Sequence, residues 1–117
     1  MPFIINRQVR AEERFPGVKG KTYVNKEAGA QNLQMGEVRM SARSQIPLHT
    51  HNVEEAIIIL EGTLEAVVGK EKRILGGGTT LLAPAGVPHS LANKGGKSAR
   101  IINAYPSVSV TRNLVSA

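Results

Sequence analysis

Along most of the chain, apolar residues recur at every second position or in short runs, and glycine or proline breaks the pattern every few residues. That period belongs to β-strands. The 3.6-residue period of an amphipathic helix is nearly missing. One short helical turn fits residues 8–15, and residues 19–25 alternate well enough for a strand. In residues 31–43 the apolar positions are first odd (Leu33, Met35) and then even (Val38, Met40, Ala42). The phase flips around Gly36-Glu37, which predicts a β-bulge where glycine permits irregular backbone. Ala56 to Leu60 is apolar at every position, the pattern of a strand buried on both faces. Gly62-Thr63 then turns the chain into residues 64–69, Lys70-Glu71 turns it into 72–75, and Gly76 to Gly78 mark another sharp turn. Residues 79–83, 89–92, 99–105 and 108–114 supply further strands. Roughly ten short strands at this spacing predict an all-β sandwich or barrel.

Composition narrows the function by exclusion. A length of 117 residues suits one domain with one core. The chain has no cysteine, which removes disulfides, thiolate ligands and cysteine nucleophiles. Met1 to Phe15 contains an apolar run of only Phe3, Ile4 and Ile5 before it becomes charged, which is not a signal peptide. No stretch approaches the length of a membrane span. A soluble, cytoplasmic protein with no membrane partner is therefore expected. The net charge of +6 raises nucleic-acid binding as an option. Against it, the basic residues are dispersed, with only Lys70, Lys72 and Arg73 close together. Aromatic side chains for base stacking are limited to Phe3, Phe15, Tyr23 and Tyr105. The charge reads as solvated strand faces, with a field that favours an anionic small molecule.

The candidate chemistry lies in the histidines. All three, His49, His51 and His89, fall in two short segments. Side chains at i and i+2 share a face only on a strand, so His49 and His51 can point at one ion. Glu55 and His89 can complete the set. Three neutral imidazoles and one carboxylate suit Mn, Fe, Ni, Cu or Zn better than Ca or Mg. An octahedral ion would keep two open positions, the mark of a catalytic rather than a structural metal. Glu54 faces the other way, towards solvent.

The two segments carry a resemblance. His49, His51, Glu55 and Gly62 match the first motif of a small single-domain cupin, and Gly78, Pro84, Gly86, His89 and Asn93 match the second. The resemblance implies a double-stranded β-helix (jelly-roll) barrel over residues 1–117, with the ion inside near one mouth. Residues 47–93 hold the metal motifs, and residues 1–30 serve as N-terminal strands and dimer arm. The glycine usual six residues before the first histidine is Arg43 here, and Arg43 is expected at the rim of the pocket instead. Pro84, Gly86 and Pro88 shape the turn before His89, and Asn93 holds local backbone.

Parity places Ile57 and Ile59 beside Glu55, and Leu91 beside His89, with Met40 and Ala42 on the opposite wall. This pocket is mainly aliphatic. No histidine or cysteine remains to act as a base, so an acid–base step falls to water on the ion, Glu37, Tyr105 or the substrate itself. The resemblance implies dioxygenases, oxalate-type decarboxylases, sugar or sugar-acid isomerases, and lyases. Two open positions in an aliphatic pocket lean slightly to an oxidoreductase of dioxygenase type acting on a small organic, and by charge anionic, substrate. The alternatives are an isomerase or a decarboxylase/lyase, and a ligand-binding protein without turnover. Pairing of Phe3-Ile4-Ile5 with a neighbouring sheet predicts a homodimer.

Overall fold

The alternation becomes strands over nearly the whole chain in a computed structural model that describes residues 3–116. The strands are β1 Glu12–Phe15, β2 Val18–Val24, β3 Gln34–Met40, β4 Gln45–His51, β5 Glu55–Glu61, β6 Thr63–Val68, β7 Glu71–Gly76, β8 Thr79–Ala83, β9 His89–Ala92, β10 Ala99–Tyr105 and β11 Arg112–Leu114. They form a six-stranded sheet in the order β1-β2-β3-β10-β5-β8 and a five-stranded sheet in the order β11-β4-β9-β6-β7. Every strand pairing is antiparallel. The fold is an all-β jelly-roll. Val18, Val38, Met40, Ile57, Ile59, Leu64, Leu91 and Ile101, drawn from both sheets, pack into one core. Each fully buried aliphatic side chain there contributes about 1.5–3 kcal/mol. Among the described residues, no helix is long and apolar enough to cross a membrane.

Four local expectations are corrected. The helical turn expected in residues 8–15 is a 3-10 turn at Asn6–Gln8, and Glu12–Phe15 is strand β1. Gly17, at φ 77°, supplies the tight turn that folds β1 onto β2. Residues 3–5 belong to no strand, and Phe3 is 87% exposed. In residues 108–114 only Arg112–Leu114 is strand. The run from Ala56 to Leu60 is not buried on both faces. Ile57 and Ile59 face the core, while Ile58 and Leu60 are 40% and 39% exposed on the outer face.

The bulge expected at Gly36-Glu37 lies on the neighbouring strand. β3 pairs with β10 without interruption, whereas β2 carries the extra residue Tyr23 between the pairs Thr22↔Gly36 and Val24↔Met35. Gly36 has a different reason to be glycine. A Cβ there would stand 2.2 Å from the Lys21 carbonyl oxygen, so the close approach of β2 requires its absence.

A second irregularity positions the site. β4 and β9 pair at Ile46↔Leu91 and again at His49↔His89, three steps on one strand against two on the other. The extra residue falls in Pro47-Leu48. It lets Ile46, His49 and His51 all face the interior, although Ile46 has the opposite parity. Proline, which donates nothing to the ladder, is at home in such a bulge.

Candidate metal centre

His49 and His51 end β4, His89 begins β9 beside them, and Glu55 begins β5 in the opposite sheet. The two sheets thus bring together four side chains that lie as far as 40 positions apart in sequence. All four are buried, with 2–6% of their surface exposed. The turn before His89 is tied down by the Gly86 amide, which donates to the His51 carbonyl at 2.9 Å, and by the Gly69 amide, which donates to the Pro88 carbonyl at 2.8 Å.

Each imidazole is oriented by a main-chain carbonyl. His49 Nδ1 lies 2.7 Å from the Pro47 oxygen, His51 Nδ1 2.9 Å from the Thr111 oxygen, and His89 Nδ1 3.0 Å from the Val87 oxygen. A carbonyl only accepts, so each Nδ1 carries the proton and each Nε2 presents a lone pair. The three Nε2 atoms converge with the Glu55 carboxylate. His49 Nε2 is 3.1 Å from His51 Nε2, and Glu55 Oε1 is 3.0 Å from His89 Nε2 and 3.3 Å from His51 Nε2. One donor atom from each residue lies within 4.8 Å of all the others. With metal–ligand bonds of ~2.1 Å, adjacent donors stand ~3.0 Å apart in an octahedron and ~3.4 Å apart in a tetrahedron. The three shortest spacings fall on those edges, so these residues could hold a single transition ion.

The electrostatics suit the same role. Burial pulls the His49 imidazole down to about 4, which keeps it neutral. Burial opposes ionisation of Glu55, but the adjoining imidazoles of His51 and His89 and the hydroxyl of Tyr105 outweigh it and hold the carboxyl at about 2. Burial also opposes charge on His89, yet its contacts with Glu55 and the Val87 carbonyl raise its pKa. Tyr105 sits at the edge of the group, its hydroxyl 3.5 Å from His51 Nε2 and receiving a hydrogen bond from Asn103 Nδ2 at 3.4 Å. Burial, followed by the negative charge of Glu55, pushes this phenol far above its ordinary range.

The site opens on an internal cavity of about 40 Å3. That is space for roughly three water-sized groups at ~10–15 Å3 each. Of the pocket residues expected from parity, Ile57 and Leu91 line the cavity. Met40 and Ile59 are instead fully buried in the core, and Ala42 lies in the turn after β3; none of the three borders the cavity. Glu37 is also displaced. It lies outside the cavity, where it accepts a hydrogen bond from Tyr23 at 3.4 Å and pairs with Arg100 at 3.6 Å. Arg43 is not at the rim. It precedes β4, at the opposite end of that strand from His51. Asn93 is not at the metal centre. Its amide donates to the carbonyls of Met40, Ser41 and Lys97 at 3.1, 3.2 and 2.8 Å, locking the turns at that far end.

Several neighbours went unmarked in the sequence. Arg14, Phe15, Asn103 and Arg112 line the cavity, and Thr111 holds His51. Parity alone could have found Asn103, two residues before Tyr105 on β10. The arginines come from β1 and β11, whose place over the mouth follows from topology alone.

A family model described as Cupin domain matches residues 36–105. No curated protein sequence matches the chain. Among solved structures, the polyketide cyclase RemF from Streptomyces resistomycificus aligns with a TM-score of 0.85 and 24% identity, over 100% of this chain and 87% of that one. KdgF from Halomonas sp. aligns with a TM-score of 0.75 and 22% identity, over 91% of this chain and 94% of that one. The oxalate decarboxylase of Lactobacillus farciminis, in a formate complex, aligns with a TM-score of 0.83 and 15% identity, over 93% of this chain and 34% of that one. At these identities the likeness concerns the fold.

Proposed function

The chain belongs to the cupin domain family, and on that premise we propose that it is a metal-dependent enzyme acting on a small organic anion. The observation that carries this reading is the convergence of three Nε2 lone pairs and one carboxylate on a cavity that can admit a further ligand. His49, His51, Glu55 and His89 would hold Mn, Fe, Ni, Cu or Zn. Such an ion supplies Lewis acidity to an oxygen of the substrate and, when redox-active, electrons to dioxygen.

The residues of the chain do the rest. Ile46 and Leu91 from one sheet and Ile57 from the other exclude water from the cavity. Apart from the four donors, no carboxylate and no further imidazole lines the cavity among the described residues. Chemistry that needs no protein base, dioxygenase-type oxidation, is therefore the preferred version. Tyr105 supports a second version. Its phenol keeps its proton beside the donors, as a proton donor in a decarboxylase, lyase or isomerase would. Names among the structural relatives, a polyketide cyclase and an oxalate decarboxylase, span comparable chemistries.

The test is elemental analysis of untagged protein, followed by oxygen uptake with small diketones and phenols. Iron, manganese, nickel or copper with uptake supports the oxidative version. Zinc without uptake leaves the Tyr105 version. Stoichiometric metal with binding but no conversion of any substrate would make this a ligand-binding cupin. We further propose that the enzyme works in the cytoplasm as a homodimer.

A further inference from the structure

Two guanidinium groups stand at the same cavity as the metal donors, and neither is neutralised by a described residue. Arg14, half-buried on β1, donates from Nη2 to Thr22 Oγ1 at 3.1 Å. Its guanidinium lies across β2 at Gly20, where a Cβ would come within 2.6 Å of Arg14 Cζ. The absent side chain at Gly20 leaves the room in which Arg14 is seated. Arg112, on β11, places its guanidinium 4.6 Å from the centre of the Phe15 ring, a cation–π contact that holds it without cancelling its charge. Among the described residues, neither arginine has a carboxylate within 4.0 Å, and what sets the pair apart from other unpaired basic side chains is that both line the metal-donor cavity.

Unpaired cations held against a narrow cavity point to a missing anion. The interior takes only a few small groups, so any larger substrate anchored at the donors must project outward past these side chains. We propose that Arg14 and Arg112 form an anion clamp that selects substrates with a carboxylate at one end and an oxygen donor for the ion at the other. This names the substrate class within the metal-enzyme reading above and rests on it. The inner oxygen reaches the donors, the short carbon chain lies along Ile46, Ile57 and Leu91, and the outer carboxylate meets the guanidinium forks. Thr22 and Phe15 act as positioning residues that keep the two forks aimed. A substrate with a neutral outer end loses charge-assisted hydrogen bonds, which are about twice as strong as neutral ones.

Zinc-loaded protein titrated calorimetrically with succinate, glutarate and adipate, and with the monomethyl ester of each, tests the clamp. For the diacid of fitting length we expect binding at least tenfold tighter than for its half-ester. In the Arg14→Gln/Arg112→Gln double variant that ratio should fall to about one, with zinc stoichiometry and melting temperature retained. Arg112→Gln alone, at an exposed position, should remove part of the preference and guards against misfolding of the double variant. The clamp is overturned if wild type binds every diacid no better than its half-ester, binds none of them, or keeps its preference in the variants. A wild-type protein that takes up no zinc, yet still shows an arginine-dependent preference for a diacid, would end the metal reading and leave the clamp standing.

Discussion

Each imidazole of the site has one nitrogen occupied by a carbonyl, so the lone pairs facing inward are built in before any ion arrives. His51 depends on Thr111 for this, and Thr111 depends on Asn52, whose Oδ1 accepts from the Thr111 amide at 2.8 Å and whose Nδ2 donates to the Ser109 carbonyl at 3.0 Å. Asn52→Ala should therefore weaken metal binding by roughly 10-fold although Asn52 is not a ligand; competition with a chelator checks this. The titrations give a second prediction. His49 is held at about 4 against an ordinary 6.5, and Glu55 at about 2 against 4.5. Between 6.5 and about 4 the unfolded chain takes up a proton at His49 that the folded chain refuses, so stability falls as pH falls. Glu55 extends the loss from 4.5 to about 2. His89, with a raised pKa, works in the opposite sense: its contribution is complete below the ordinary value of 6.5 and fades as pH rises through the raised one. Calorimetry of metal-free protein should show a melting temperature that declines on acidification from pH 6.5; a flat profile down to pH 4 would contradict these shifts.

At the scale of elements, the turn between β3 and β4 is the strained one. Arg43 has φ 61° and is the sole non-glycine residue in the left-handed region among the described residues. The cupin motif usually has glycine there, and the backbone shows why. Arg43→Gly should raise stability by about 1 kcal/mol, read from urea denaturation, because a side chain in that conformation costs about 1–2 kcal/mol and glycine returns part of the gain as unfolded-state entropy. The same scale explains what was legible. The i, i+2 histidines identified β4 because a period of two is a strong signal. The phase flip in residues 31–43 does not mark a bulge on β3 because the odd-numbered Leu33 and Met35 lie outside the core, 43% and 37% exposed. The bulge at Tyr23 leaves no mark in composition. Glu37 was a candidate through charge alone, and its odd parity against Gly36, Val38 and Met40 puts it on the outer face.

For the whole molecule, the all-β architecture was legible from local period, and the grouping of His49, His51, Glu55 and His89, which could hold an ion, from the two motifs of the cupin resemblance. The arginine pair was not, since it is created when β1 and β11, edge strands of different sheets, both contribute to the same cavity. The apolar run of β5 was readable as a strand, but its outer half needs another explanation than burial within one chain. Met35, Ile58, Leu60 and Leu82 leave 37–55% of their surfaces exposed on the same sheet, and a second copy of the chain would cover them. Light scattering should give about twice the chain mass of 12.5 kDa, and Ile58→Glu with Leu82→Glu should reduce it to that mass with metal stoichiometry unchanged. A wild type that is monomeric throughout would refute this.

The bond from His51 to Thr111 joins residues 60 positions apart. An ion arriving while the ribosome is still extending the chain finds His51 free to rotate and to present either nitrogen. Any ion these residues hold would meet its ordered donor set only after translation, once Thr111 has emerged and docked, so the ions available at that moment would decide which metal enters.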